Sequence, residues 1–86
     1  MATIIKVDGT KEEISPKEGN KFSLQELQEA VEGYIALVSI NDEPDKVLVV
    51  DEEGLLTQKE SNVEASILTG KMIVGQVLVA DRSQIN

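Results

Sequence analysis

The sequence predicts an α+β fold: a small, mostly antiparallel sheet with one main helix and a second short helical turn, in the order β-β-α-β-β-(α)-β. Three observations predict it. Short runs rich in Ile, Val and Leu recur along the chain, separated by turn residues. One helix carries complete start and stop signals between Phe22 and Gly33. A second, shorter helical pattern follows Asn62 before a final apolar run.

Thr3 to Val7 reads as the first strand, and Asp8-Gly9 as a tight turn. Thr10 to Ile14 returns, and its Lys and Glu residues suit an edge. In the helix, Ser23 is the N-cap and Glu26 completes a capping box. Phe22 and Leu27 are spaced as a hydrophobic staple. Leu24, Leu27 and Val31 share one helical face, which predicts their burial. Gly33 suits the left-handed residue that ends a helix.

Tyr34 to Ile40 and Lys46 to Val50 read as a hairpin around the turn Asn41 to Asp45, where Pro44 blocks a continuing strand. Val47 to Val50 are apolar on both faces. A one-sided sheet would alternate, so either this strand is covered on both sides or one side meets a second copy of the chain, and in so small a domain the second is expected. Val63 to Leu68 reads as one or two helical turns, capped by Ser61 or Asn62 and ended by Gly70. Met72 to Val79 is the last strand, with Gly75 marking a bulge or a close backbone approach. Residues 1–80 form one domain, and residues 81–86 a polar, frayed C-terminal tail.

Composition narrows function. The 86 residues hold no Cys and no His, so triads built on either are excluded. Thiolate metal sites and disulfides are excluded with them. No Gly-rich phosphate loop is present. A chain this short buries only roughly 60–65% of its unfolded surface, which leaves little room for a deep cleft. We therefore expect no enzyme, no cofactor and no metal. The acidic turns Asp51-Glu52-Glu53 and Asp42-Glu43 with Asp45 lack the alternation of a calcium loop. The N-terminus lacks a signal-peptide pattern and no apolar run is long enough for a membrane, which leads to the expectation of a cytoplasmic protein. The net charge of −8 opposes binding to nucleic acid and to anionic membranes.

Four residues are candidates for ligand binding. Tyr34, at a strand start, offers a ring for stacking and a hydroxyl for hydrogen bonding. Asn62, Ser66 and Lys71 are polar residues around the second helical turn, whose first N–H groups would meet an anion. Lys21, Lys59, Lys71 and Arg82 are the cations available to a phosphorylated ligand.

Several segments together resemble a known family: Val31-Glu32-Gly33-Tyr34-Ile35 after the helix, Val49 to Leu55 leaving the hairpin, Asn62 with Ala65, and Ile73 to Val79. Their order is similar to domain of unknown function 3846, common in phages and plasmids of bacteria. In that family Gly-Tyr-Ile, Asn-Glu-Glu-Gly-Lys-Leu, an Asn before a short helix and Ile-x-Gly-x-Val recur. Here Glu32 stands where a second glycine is frequent, and Ala36 where an acidic residue is frequent. Asp51 replaces the asparagine, and Leu55 follows Gly54 without the lysine. The resemblance implies a small accessory protein. By analogy with other small phage proteins, the expected role is anti-defence: sequestering a cyclic-nucleotide-type immune signal between subunits of a homo-oligomer. The alternatives are an acidic inhibitor that binds a host protein, and a structural or regulatory oligomeric subunit.

Overall fold

The computed structural model describes residues 2–85. Five strands form one antiparallel sheet in the order β2-β1-β5-β4-β3. They are β1 (Ala2–Ile5), β2 (Lys11–Ile14), β3 (Ile35–Ser39), β4 (Lys46–Asp51) and β5 (Val77–Asp81). Helices α1 (Leu24–Val31) and α2 (Val63–Thr69) and the turn α3 (Arg82–Ile85) complete the chain. The hairpins β1–β2 and β3–β4 are joined by β5, which pairs Ile4 with Leu78 on one side and Leu48 with Val79 on the other.

Alternation along the strands divides the apolar side chains between two faces. Ile4, Val49, Leu78 and Ala80 pack with Phe22, Leu27, Ala30 and Val31, so α1 covers the first face. Ile5, Leu48, Val50 and Val77 pack with Ala65 and Ile73, so α2 and the segment after it cover the second. This corrects the expectation for Val47 to Val50. Their two apolar faces are filled within one chain, because β4 lies inside the sheet with a helix on each side, and no second copy is needed to bury them.

The capping box forms as expected: Glu26 N–H donates to Ser23 Oγ, and Ser23 N–H donates to the Glu26 carboxylate. Both staple residues, Phe22 and Leu27, are buried. Other details differ from the expectation. Leu24 points to solvent, and the buried stripe is Leu27, Ala30 and Val31. The left-handed residue at the end of α1 is Glu32, at φ 61°, and not Gly33. The last strand starts at Val77, five residues later than the apolar run suggests. Gly75 turns the backbone at φ 79°, and Val74 makes only an isolated bridge to Ser61. The end of the chain is also more ordered than the polar composition implies. Arg82–Ile85 is helical, Gln84 is buried, and its carbonyl accepts the Phe22 N–H at 2.8 Å. Asn86 lies outside the described residues.

Candidate functional site

The most constructed polar feature sits where α1 ends, β4 ends and the 52–60 loop begins. β4 delivers Asp51 there with its side chain only 4% exposed, and Lys59 reaches back to it at 2.7 Å. Lys59 Nζ also donates to the Val31 carbonyl at 3.0 Å and the Glu32 carbonyl at 3.1 Å. An ammonium has three donors, and all three are used. The two carbonyls are at the C-terminal end of α1, so the lysine also meets the negative end of the helix dipole. Asp51 Oδ1 accepts the Glu53 N–H at 3.0 Å. Burial alone would raise the Asp51 carboxyl pKa. The hydrogen bond from Lys59, the Glu53 N–H and the lysine charge outweigh it and hold the group below the usual range.

Glycines make room for this pair. A Cβ on Gly33 would lie 2.5 Å from Asp51 Cγ, and one on Gly75 would lie 2.8 Å from Lys59 Cδ. Next to them, Asn62 is fully buried. Its side-chain amide donates to the Ile5 carbonyl at 3.0 Å and the Gly75 carbonyl at 2.9 Å, while its oxygen caps α2 by accepting the Ala65 N–H. Ser66 Oγ donates to the Asn62 carbonyl at 2.8 Å and accepts the Ile73 N–H at 2.9 Å.

The four sequence candidates therefore separate. Asn62 and Ser66 come together, but their polar atoms are bonded inside the chain and face no ligand. Lys71 follows the α2 cap on the surface, where its N–H is held by Thr69 Oγ1. Tyr34 lies elsewhere, 65% exposed, beside a shallow hollow of about 220 Å³ shared with Gln28 and Gly33. No hydrogen bond or shared hollow links Tyr34 to the other three among the described residues. Sequence reasoning alone misses the Asp51–Lys59 pair. The available signal is two opposite charges bracketing one turn, with Asp51 at a position where the resembled family has a neutral side chain.

Above the pair runs a groove of about 360 Å³ lined by Lys6, Asp8, Glu32, Lys59, Glu60 and Gln76, among others. Its two lysines are already partnered, Lys59 by Asp51 and Lys6 by Glu12 at 3.7 Å. The free charges it presents are mainly carboxylates, which disfavours a phosphate there. Among the described residues, no group of three or more carboxylates converges as a metal-ligand set. Among the described residues, no helix is long and apolar enough to cross a membrane.

The family model for domain of unknown function DUF3846 matches residues 1–85. The chain belongs to that family. No curated protein and no solved structure matches it. In this DUF3846 chain, the residues that carry the family resemblance are neighbours in space. Gly33 lies against Asp51, the residue that departs from the family's asparagine, and Asn62 bonds to Gly75; Lys59, outside those segments, also lies against Gly75. Together these residues lock the end of α1, the exit of β4 and the start of α2 to one another.

Proposed function

We propose that this DUF3846 chain is a non-catalytic protein-binding module. The observation that carries the reading is a set of large apolar side chains left outside a completed core. Leu55, Leu56, Val63, Ile67 and Met72 are between 65% and 81% exposed; Val63, Ile67 and Met72 come from α2 and the segment after it, and Leu55 and Leu56 from the loop that precedes it. Val63 and Ile67 stand one helical turn apart on the outer side of α2. Exposed apolar side chains gathered in one segment mark contact surfaces, and the net charge of −8 adds attraction for a partner rich in Lys and Arg. In a phage or plasmid setting, such a module would act as an inhibitor of a host defence enzyme. That extension rests on the resemblance and on analogy.

The test is affinity capture from a bacterial host lysate at low and high salt, followed by titration of the purified partner. Ile67→Ser and Leu56→Ser should each weaken that titration, and salt should weaken it further. Unchanged affinity in both variants would remove the reading.

A second reading keeps the nucleotide-type ligand. It is supported by the exposed Tyr34 ring beside its hollow, a surface on which a base would stack. Calorimetric titration with cyclic dinucleotides and cyclic ADP-ribose isomers tests it, and the Tyr34→Ala variant should abolish any heat found.

A further inference from the structure

The two edges of the sheet are built differently. β2 presents exposed Lys11, Glu12 and Glu13, and Lys11 is further tied to Glu64 at 3.2 Å. Charged side chains of this kind keep a foreign strand from pairing. β3 has no such protection. Its sequence is Ile-Ala-Leu-Val-Ser, with no charge and no proline. One side of it pairs with β4 from Ile35↔Asp51 to Ser39↔Val47. No backbone hydrogen bond from any other part of the described chain reaches its outer side. Ile35, Ala36 and Val38 are only half buried because the sheet stops beside them, and Leu37 is 51% exposed. One more strand would cover all four.

Charge says what kind of strand. At the start of β3 stand Glu32, Glu52 and Glu53, with Glu52 held there by its N–H donating to the Tyr34 carbonyl at 2.7 Å. Lys59 offers no relief, because Asp51 occupies it. At the other end stand Asp42, Glu43 and Asp45. Two cations face them: Lys46, 3.9 Å from Glu43, and Arg82, which donates to the Pro44 carbonyl at 2.7 Å. That end stays net negative. A second copy of this chain is a poor occupant. An antiparallel pairing centred on Leu37 would bring the acidic start of each β3 against the acidic turn of the other. We propose that β3 is a docking edge for an extended segment of a partner protein, apolar in its centre and carrying Lys or Arg at both ends. Five residues of β3 span roughly 17 Å, a length over which added strands commonly bind. This rests on the protein-binding reading and adds to it a second surface and a partner chemistry.

The probe is a synthetic peptide of alternating Val and Thr with two Lys at each end, titrated into the ¹⁵N-labelled chain. Two controls replace the Lys residues with Glu, or place an N-methylated residue at the centre so that ladder bonds cannot form. Shifts and slowed amide exchange should appear at Ile35–Ser39 with the first peptide. Binding should weaken about tenfold or more with each control. Leu37→Lys, on an exposed position that leaves the core intact, should weaken binding by a similar factor. Absence of shifts at millimolar peptide would overturn the proposal, as would shifts confined to segment 55–72. A chain that light scattering finds dimeric through β3 would overturn it as well. If a lysate partner is lost on Ile67→Ser but retained on Leu37→Lys, the docking edge falls while the protein-binding reading stands.

Discussion

Replacing Lys59 by Met tests the polar node most directly. The substitution keeps the length and apolar character of the stem that passes Gly75 and removes only the charge. Three hydrogen bonds are lost: one to Asp51 and one each to the Val31 and Glu32 carbonyls. Breaking a buried ion pair from one side costs about 3–5 kcal/mol. The Lys59 side chain is 21% exposed, so water compensates in part and the expected loss is about 2–4 kcal/mol. Total stability for 86 residues is on the order of 4–13 kcal/mol, so the change is large. Urea unfolding at pH 7 would measure it. The pH dependence provides a second check. In the parent chain the Asp51 carboxyl is lowered, so its contribution is present above the unfolded value near 3.8 and is lost as the pH falls through the folded one. Without the lysine, burial is opposed only by the Glu53 N–H, so the carboxyl titrates higher than in the parent chain. The variant should then recover part of its deficit as the pH drops towards 4 and Asp51 becomes neutral. A loss below about 0.5 kcal/mol, or a deficit that does not change with pH, would refute the account of the pair.

Asn62→Ala removes the amide that donates to the Ile5 and Gly75 carbonyls and uncaps α2, for a loss of about 2–4 kcal/mol in chemical denaturation. Gly33→Ala drives a methyl group into a carboxylate pinned by Lys59 and Glu53. It should cost about 1–3 kcal/mol, and Asp51→Ala in the same chain should relieve most of that penalty, which a double-mutant cycle reads. Glu32→Gly should stabilise the chain by about 0.5–1 kcal/mol in thermal unfolding, because a left-handed φ of 61° disfavours any residue with a Cβ.

How much can be read from the residues follows from the range of the forces involved. The capping box of α1 and the Asn62 cap of α2 are local, with partners three residues apart, and both are legible. The α+β class and the strand order along the chain are legible from β-branched runs and turn residues. Where the last strand begins is not. Gly75 is turned by contacts with Glu60 and Asn62, which are distant in sequence, and that overrides the apolar run from Met72. The burial of Val47 to Val50 is legible, but not what covers them, because cover depends on which helix the topology returns to each face. Glu32 takes the left-handed position expected of Gly33 because Gly33 serves a packing need that only the fold reveals. Among the site residues, Asn62 and Ser66 stand out in the sequence as polar groups, yet their partners are main-chain atoms from Ile5 and Ile73. Lys59 stands out only as a cation. Its pairing with Asp51 depends on the path of a loop that no periodicity describes.

The place of β5 at the centre of the sheet has a consequence for synthesis. A ribosome delivers residues at roughly 5–20 per second, and the strand that joins the two hairpins emerges after both of them. Until Val77–Asp81 has left the exit tunnel, β1 and β4 have no partner on their facing sides. The nascent chain therefore holds two separate ribbons with open flanks, and it closes into one sheet only once β5 is free to insert between them. Mutations that slow insertion of β5 should lower the yield of folded protein even where the finished molecule is no less stable.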